Sequence, residues 1–221
     1  MPKTQPISLS ATKPLANSAT PPTANLLKRP IMKTKLLMLT LAMSCTFAGS
    51  AMAMTKTEYK AQKDTISGQY KVAKDKCGAM KDNAKDVCVL EAKGVDKVAK
   101  AELEAQYEPT SRHMAKVGMV KADTAYAVAK EKCDDLSGNA KDVCIKDAKV
   151  VHVKAKDEAK IAKASMDTSK SKTDKMTDVK KDAAADEKEA MYKAAKERCD
   201  ALAGMPKDTC QNDAKVKFGM K

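Results

Sequence analysis

The sequence contains no tryptophan and only 2 Phe, 5 Tyr, 8 Gly and 2 His, and these shortages exclude several classes of protein. So few glycines disfavour a β-barrel or β-sandwich, which need many tight turns. The chain also lacks a Gly-rich phosphate loop and the motifs H-E-x-x-H, G-x-S-x-G and C-x-x-C. We therefore expect a protein that is not an enzyme, with no catalytic residues and no bound cofactor or metal.

Acidic residues are absent from the first 53 positions, which hold six of the 8 prolines. Lys33 and Lys35 precede an apolar run over 36–48, and the stretch ends in Ala51-Met52-Ala53. A short basic region, an apolar segment and an A-x-A site are typical of a secretory signal peptide. We predict a signal peptide over 32–53 that is cut after Ala53, with Ala51 and Ala53 as the recognition residues.

Other interpretations of this leader are an uncut membrane anchor and a lipoprotein modified at Cys45. The apolar run is too short to span a bilayer as a mature helix, and no Leu stands three residues before Cys45. Residues 1–31 are either a disordered Pro/Ser/Thr-rich extension or the result of a start codon assigned too early. After cleavage, the protein is expected in the bacterial periplasm, without a mature transmembrane segment.

Arginine is scarce beyond the leader, although the chain has 42 basic against 29 acidic residues and a formal charge of +13. Residues 54–221 keep 36 of those basic residues, and only Arg112 and Arg198 among them are arginines. The guanidinium group of arginine is the side chain that binds bases and phosphates through paired hydrogen bonds. Nucleic acid is therefore not an expected partner, and the lysines predict solvated faces or contact with anionic envelope components.

Six cysteines beyond the leader form three pairs, each 11 positions apart, and they reveal a threefold internal repeat. The repeats cover 70–93, 126–149 and 192–215. Nine of their 24 positions are identical in all three copies: the Tyr, both Cys, two Ala, three Lys and one Asp.

Each repeat is predicted to be a helical hairpin. In the first arm, Tyr70, Ala73, Cys77 and Met80 follow the helical spacing of a buried stripe, and Leu136 and Leu202 replace Met80 in the later repeats. The second arm has its own predicted stripe, which comprises Cys88, Ala92, Val95 and Ala99, and in the next repeat Cys144, Ala148, Val151 and Ala155.

The turn between the arms is predicted from glycine, asparagine and proline. Gly138 and Gly204, with Asp82 at the same place in the first repeat, are expected in the left-handed region at the end of the first helix. Asn83 and Asn139 are then expected to cap the second helix, and Pro206 to occupy its first position.

An even number of cysteines in an exported chain favours disulfides over a metal site. Eleven residues of unbroken helix would hold two cysteines about 16.5 Å apart, so only the hairpin allows a bond. The predicted disulfides are Cys77–Cys88, Cys133–Cys144 and Cys199–Cys210. Zinc or redox chemistry at these cysteines is the alternative, and copper(I) binding by methionine is another, although Met80 is expected in the core.

The predicted fold is therefore all-α, with three disulfide-stapled helical hairpins joined by long helices in an elongated or coiled-coil-like arrangement. A break at Glu108-Pro109 should separate two helices, with Thr110 or Ser111 as the cap of the second. The predicted segments are hairpin repeat 1 over 54–108, hairpin repeat 2 over 109–166, a polar hinge over 167–178 and hairpin repeat 3 over 179–221.

In composition, the Lys/Ala/Glu-rich region 55–218 resembles the long periplasmic helix of TolA-type cell-envelope proteins, although those helices lack paired cysteines. The repeat YxxAKxKCDxLxGNAKDVCxxxAK is similar to one in secreted Lys/Ala-rich Cys-repeat helical proteins of proteobacteria. That resemblance implies export and helical hairpins, and it implies no assigned activity.

The sequence favours a non-enzymatic periplasmic structural or interaction protein of the cell envelope. Its Lys-rich helical faces would contact anionic envelope components or partner helices. The alternative is a helical holdase or stress-related binding module that shields other exported proteins, and a metal or redox protein is a third hypothesis. The sequence does not predict an oligomeric state.

Overall fold

The computed structural model describes residues 54–221, and all of the secondary structure in this part of the chain is helical. The predicted signal peptide over 32–53, its sites Ala51 and Ala53, and Cys45 lie outside the described residues. Six α-helices follow one another: α1 Lys56–Cys77, α2 Asp82–Tyr107, α3 Ser111–Lys132, α4 Gly138–Ser165, α5 Lys172–Cys199 and α6 Met205–Phe218. A short 3-10 turn, Cys133–Asp135, follows α3. The predicted all-α class is confirmed.

The helices are arranged as a row in which consecutive helices run antiparallel. Within residues 54–221, every extensive helix–helix contact joins helices that follow one another in the chain. The first pair shows the direction, because Cys77 and Cys88 bond at one end and the rings of Tyr59 and Tyr107 lie 4.6 Å apart at the other. Among the described residues, no helix is long and apolar enough to cross a membrane.

The three predicted disulfides are present, one inside each hairpin. The two Cα atoms of each pair lie 5.6–5.7 Å apart, and the first cysteine of each pair is almost fully buried. Each bond joins the end of one helix to the first turns of the next. The turn is thereby held at a fixed point in every repeat.

The core between the helices consists mainly of alanine. Nine of the buried apolar residues are alanines, and Leu103 is the largest buried apolar side chain. Small side chains let the helices approach closely, and glycine extends this further. A Cβ at Gly118 would stand 2.8 Å from the Cβ of Ala159, and a Cβ at Gly94 would stand 3.2 Å from that of Thr124.

The predicted buried stripes are wrong at several positions. Met80, Leu136 and Leu202 are 44–46% exposed because the helix of the first arm has already ended at the cysteine. Val95 and Val151 are 71% and 67% exposed. A helix inside a row is covered on two opposite flanks and open on the other two sides, whereas a single-stripe pattern assumes one covered side.

The left-handed turn residues are confirmed, but their place relative to the helices differs from the prediction. Asp82, Gly138 and Gly204 have φ values of 50°, 56° and 60°. Gly138 begins α4 instead of ending the preceding helix, which stops at Lys132 and continues only as the 3-10 turn. Pro206 is the second residue of α6, one position later than predicted.

Asn83 and Asn139 do not cap helices, so this prediction is also wrong. The residues before α2 and α4 are Lys81 and Ser137, and neither makes a side-chain capping hydrogen bond. Each asparagine instead donates its side-chain N–H to a backbone carbonyl at the end of the next repeat's first helix. Asn83 reaches Glu131 at 3.0 Å, and Asn139 reaches Glu197 at 2.9 Å.

Of the two connections between repeats, the first lies where it was predicted and the second is shorter than predicted. The break at Glu108-Pro109 is confirmed, and the Thr110 hydroxyl caps α3 by accepting from the His113 N–H at 3.2 Å. The predicted polar hinge over 167–178 is wrong in extent, because α5 begins at Lys172 and only 166–171 separate α4 from α5. Charged side chains at helical spacing form this part of α5, although few of its residues are apolar.

Candidate functional site

Valine and alanine side chains form an apolar groove between α2 and α3. The groove has a volume of ≈ 780 Å³, and Val95, Val98 and Val128 line it together with Ala99 and Ala125. Val95 is 71% exposed, although burial of a valine side chain stabilises a protein by about 1.5–3 kcal/mol. An open groove lined by several apolar side chains is therefore a candidate binding surface of this helix pair.

Salt bridges between α2 and α3 mark both ends of this groove. The Lys132 ammonium lies 2.8 Å from the Glu91 carboxylate, and the Lys121 ammonium lies 2.7 Å from the Glu102 carboxylate. The two pairs are 11 residues apart on each helix, which corresponds to about 16.5 Å along the axis. The groove thus has an apolar floor about three helical turns long, with one cation and one anion at each end.

The apolar surface continues from α2 toward α1. A second groove of ≈ 690 Å³ lies between these helices, and it shares Val95 and Glu91 with the first. Val72 and Met80 contribute its other apolar side chains and are 57% and 46% exposed. The Cys77–Cys88 disulfide also lines this groove, so a covalent link fixes the two helices that form it.

Repeat symmetry extends part of this surface over the later hairpins. Leu136 and Val151 in repeat 2 occupy the places of Met80 and Val95, and Leu202 takes the first of these places in repeat 3. All three are at least 44% exposed. We call this surface of exposed and half-buried side chains the apolar face, which comprises Val72, Met80, Val95, Val98, Val128, Leu136, Val151 and Leu202.

Lysines occupy the other open side of the row. On α2, Lys93, Lys97 and Lys100 are each displaced by about 140–160° from Val95 around the helix axis, at about 100° per residue. Lys130 on α3 is similarly opposite the groove-lining Val128. Helices α2 and α3 therefore have an apolar face on one side and a Lys-rich face on the opposite side.

A buried histidine joins α3 to α4. The Nε2 of His152 lies 2.7 Å from the Asp123 carboxylate, and its ring stacks on Tyr126 with centroids 4.5 Å apart. The hydrogen bond from His152 holds the pKa of Asp123 below its usual value of 3.8. In repeat 3 the equivalent pair is Tyr192 and Phe218. Because an apolar ring serves at the same place, the histidine acts as a packing residue between the two arms.

A buried carboxylate contributes to the contact between α4 and α5. Asp157 is 1% exposed, and Lys160 lies 2.6 Å from it and 3.2 Å from Asp186 on the facing helix. The hydrogen bond to Asp157 raises the pKa of Lys160. One lysine thus neutralises a buried carboxylate and links it to the neighbouring helix.

The six predicted site cysteines are all brought together as disulfides, so none of them is available as a thiolate ligand. In the part of the chain that the structure describes, no group of three or more His, Cys, Asp and Glu side chains is arranged to hold a metal ion. Sequence reasoning missed the apolar face. Its signal was the recurrence of valine at equivalent places, Val72 with Val128 and Val95 with Val151.

Comparison with known proteins gives no relative from which a function could be transferred. No family model, curated protein or solved structure matches the chain.

Proposed function

We propose that this protein is a non-enzymatic interaction protein of the bacterial cell envelope, which binds an amphipathic helix of a partner protein on its apolar face. The exposure of Val95 in the α2–α3 groove is the observation that carries the proposal. Helix-in-groove recognition places the apolar side chains of a partner helix, spaced three and four residues apart, in such a groove. The length of the floor suits about three turns of that helix.

The charges at the ends of the groove support a partner with charged flanks. Lys132 and Glu91 stand at one end and Lys121 and Glu102 at the other, all of them partly exposed. A partner helix that carries both signs of charge could pair with them and fix its direction. Such pairs contribute more to orientation and association rate than to affinity.

The disulfides support export as part of this proposal. Disulfides form and persist in oxidising compartments such as the periplasm, and three of them stabilise a chain whose core consists mainly of alanine. The Lys-rich face on the opposite side would remain available for anionic envelope components while the apolar face is occupied.

Crosslinking in intact cells, with two matched variants, tests the proposal. Val98→Asp puts a charge into the groove, whereas Lys130→Glu changes the charge on the opposite side of α3. We expect Val98→Asp to abolish capture of the partner and Lys130→Glu to leave it unchanged. Because apolar contact is little screened, capture should also persist at about 0.5 M salt. Loss of capture with Lys130→Glu alone would instead assign the contact to the Lys-rich face.

The extent of the apolar face favours a second candidate function, that of a holdase. Exposed apolar side chains recur in all three repeats instead of being confined to one groove. A holdase would suppress the light scattering of a client protein that aggregates on dilution from denaturant without a reductant. Val98→Asp would only weaken this effect because other repeats remain. A protein that binds one specific helix would leave that aggregation unchanged at equimolar concentration.

A further inference from the structure

The chain forms nearly the same contact between repeats twice. Helices α2 and α3 join repeats 1 and 2, and helices α4 and α5 join repeats 2 and 3. An ion pair occupies the same place in both contacts, Glu91 with Lys132 and Asp147 with Arg198. The hydrogen bonds that Asn83 and Asn139 donate also recur at equivalent places.

Small and larger side chains face each other in these contacts. Gly94 on α2 lies against Thr124 on α3, and a Cβ on the glycine would stand 3.2 Å from the threonine Cβ. At the equivalent places, α4 carries Val150 and α5 carries the buried Ala190. One side of the contact thus has a small residue wherever the other has a β-branched one.

The two ends of the row carry the two halves of this contact. Helix α1 has Gly68 at the place of Thr124, and it has Lys76, which also lines the α1–α2 groove, at the place of Lys132. The outer flank of α6 has Asp213 at the place of Glu91, and Val216 at the place of Gly94. Lys76 and Asp213 are exposed, and neither forms an ion pair within residues 54–221.

The end formed by α6 is not a polar cap. Met205 and Val216 are both 82% exposed, the highest exposures among the large apolar side chains of residues 54–221. Repeat arrays need terminal repeats with polar outer faces to stay soluble as single molecules. At the other end, a Cβ at Gly68 would meet no atom within 4 Å, so α1 leaves space where a valine could pack.

We propose that copies of this chain associate end to end, with α6 of one copy packed antiparallel against α1 of the next. Asp213 would pair with Lys76 across this contact, and Val216 would pack over Gly68. The contact is heterologous, because the two copies contribute different surfaces, so it generates open chains or closed rings instead of a symmetric dimer.

The association is expected to be weaker than the contacts inside one chain. Helix α6 has only 14 residues, and Met205 stands where Asn83 and Asn139 donate their hydrogen bonds. A short interface with one ion pair corresponds to a dissociation constant of about 10 μM to 1 mM. The assembly would therefore depend on local concentration and would weaken as salt rises.

Sedimentation velocity on the oxidised protein, produced from the full-length chain, tests this proposal. We expect the average sedimentation coefficient to rise with protein concentration. Lys76→Glu or Asp213→Lys should each weaken the association at least about tenfold, because either change places like charges together. Mixing the two variants should restore association, because every contact between unlike variants then joins opposite charges. Lys74→Glu, in the same helical turn but about 160° away, should have no effect.

Other results would overturn the proposal. A protein that stays monomeric up to about 1 mM, a concentration that populates even weak complexes, would contradict it. Association that persists in both Lys76→Glu and Asp213→Lys but is lost in Val98→Asp would also contradict the proposal. That result would assign the contact between copies to the apolar face. A third contrary result would be a mixture of the two charge variants that remains monomeric. In that case the loss in each variant would not come from the Asp213–Lys76 pair.

Discussion

The side-chain amide of Asn83 donates a hydrogen bond to the backbone carbonyl of Glu131, 48 residues further along the chain. Asn139 makes the same bond to Glu197 across 58 residues. Each bond ties the first turn of one helix to the last turn of a helix in the next repeat. The repeats are therefore joined by specific polar contacts as well as by small apolar side chains.

Replacing Asn139 with alanine should destabilise the protein. The carbonyl of Glu197 would lose a hydrogen bond of a kind that contributes about 0.5–1.5 kcal/mol to stability. Met205 is at the equivalent place in repeat 3 and is exposed, so Met205→Ala is a matched control that should cost less than about 0.5 kcal/mol. Urea denaturation of the oxidised variants measures the loss of unfolding free energy in each. Equal losses for Asn139→Ala and Met205→Ala would contradict the role assigned to the asparagine.

Gly138→Val should lower stability and disturb one disulfide. Gly138 has a φ of 56°, and a β-branched residue there costs more than about 1 kcal/mol. Because this turn positions Cys133 opposite Cys144, oxidation of that pair should slow, while the other two disulfides form normally. Peptide mapping without reduction, together with thermal melting, measures both effects.

Ser171→Val is the control for this substitution, because Ser171 is exposed in the connection between α4 and α5 and far in sequence from any turn between paired cysteines. It should change neither the melting temperature appreciably nor the disulfide pairing. Identical behaviour of the two variants would mean that the chain does not turn at Gly138.

Asp82→Gly should stabilise the protein. Asp82 is the only non-glycine residue with positive φ among residues 54–221, and glycine occupies its place in the other two repeats. Relief of the left-handed strain is partly offset by the greater freedom of glycine in the unfolded chain. The expected gain is about 0.5 kcal/mol in the free energy of unfolding, whereas Asp82→Ala should give a loss. A loss with glycine as well would show that the aspartate side chain itself stabilises the turn.

Acid should loosen the connection between α4 and α5. The Asp167 carboxylate accepts from Lys175 at 2.8 Å and from the Ser169 N–H at 2.8 Å. These bonds, that with Lys175 above all, hold the pKa of Asp167 far below its usual value of 3.8. Since the folded pKa is lowered, this stabilisation is fully present above pH 3.8 and is lost as the pH falls toward the lower folded value.

Hydrogen exchange and NMR titration of the connection check the acid effect. The Ser169 amide should lose protection only well below pH 3.8, and Asp167→Asn should weaken that protection at neutral pH. Titration of the Asp167 carboxyl group at its ordinary pKa would contradict the described contacts.

The cysteine spacing and the turn residues predicted much of this fold, because both are local signals. Eleven residues between cysteines require a turn if the cysteines are to bond, and Gly138 and Gly204 mark it. The break before Thr110 was equally local, since proline ends a helix and a hydroxyl caps the next one.

The surface could not be predicted in the same way, because it depends on which helices become neighbours. Val95 fits a buried stripe by its spacing, yet α1 covers Ala92 on one flank of α2, α3 covers Gly94 on the other, and the valine is left in the open. The role of Asn83 depends on a helix that begins 28 residues later, so local rules assigned it to a cap. Charged residues at helical spacing extended α5 back to Lys172 despite their low apolarity.

Site-specific photocrosslinking in growing cells is the most direct test of the apolar face as a binding surface. A photoreactive residue at position 98 would lie inside the α2–α3 groove, and one at position 130 would lie on the opposite side of α3. We expect a discrete adduct with another exported protein from position 98 and none from position 130. An adduct from position 130 with none from position 98 would contradict the proposed function.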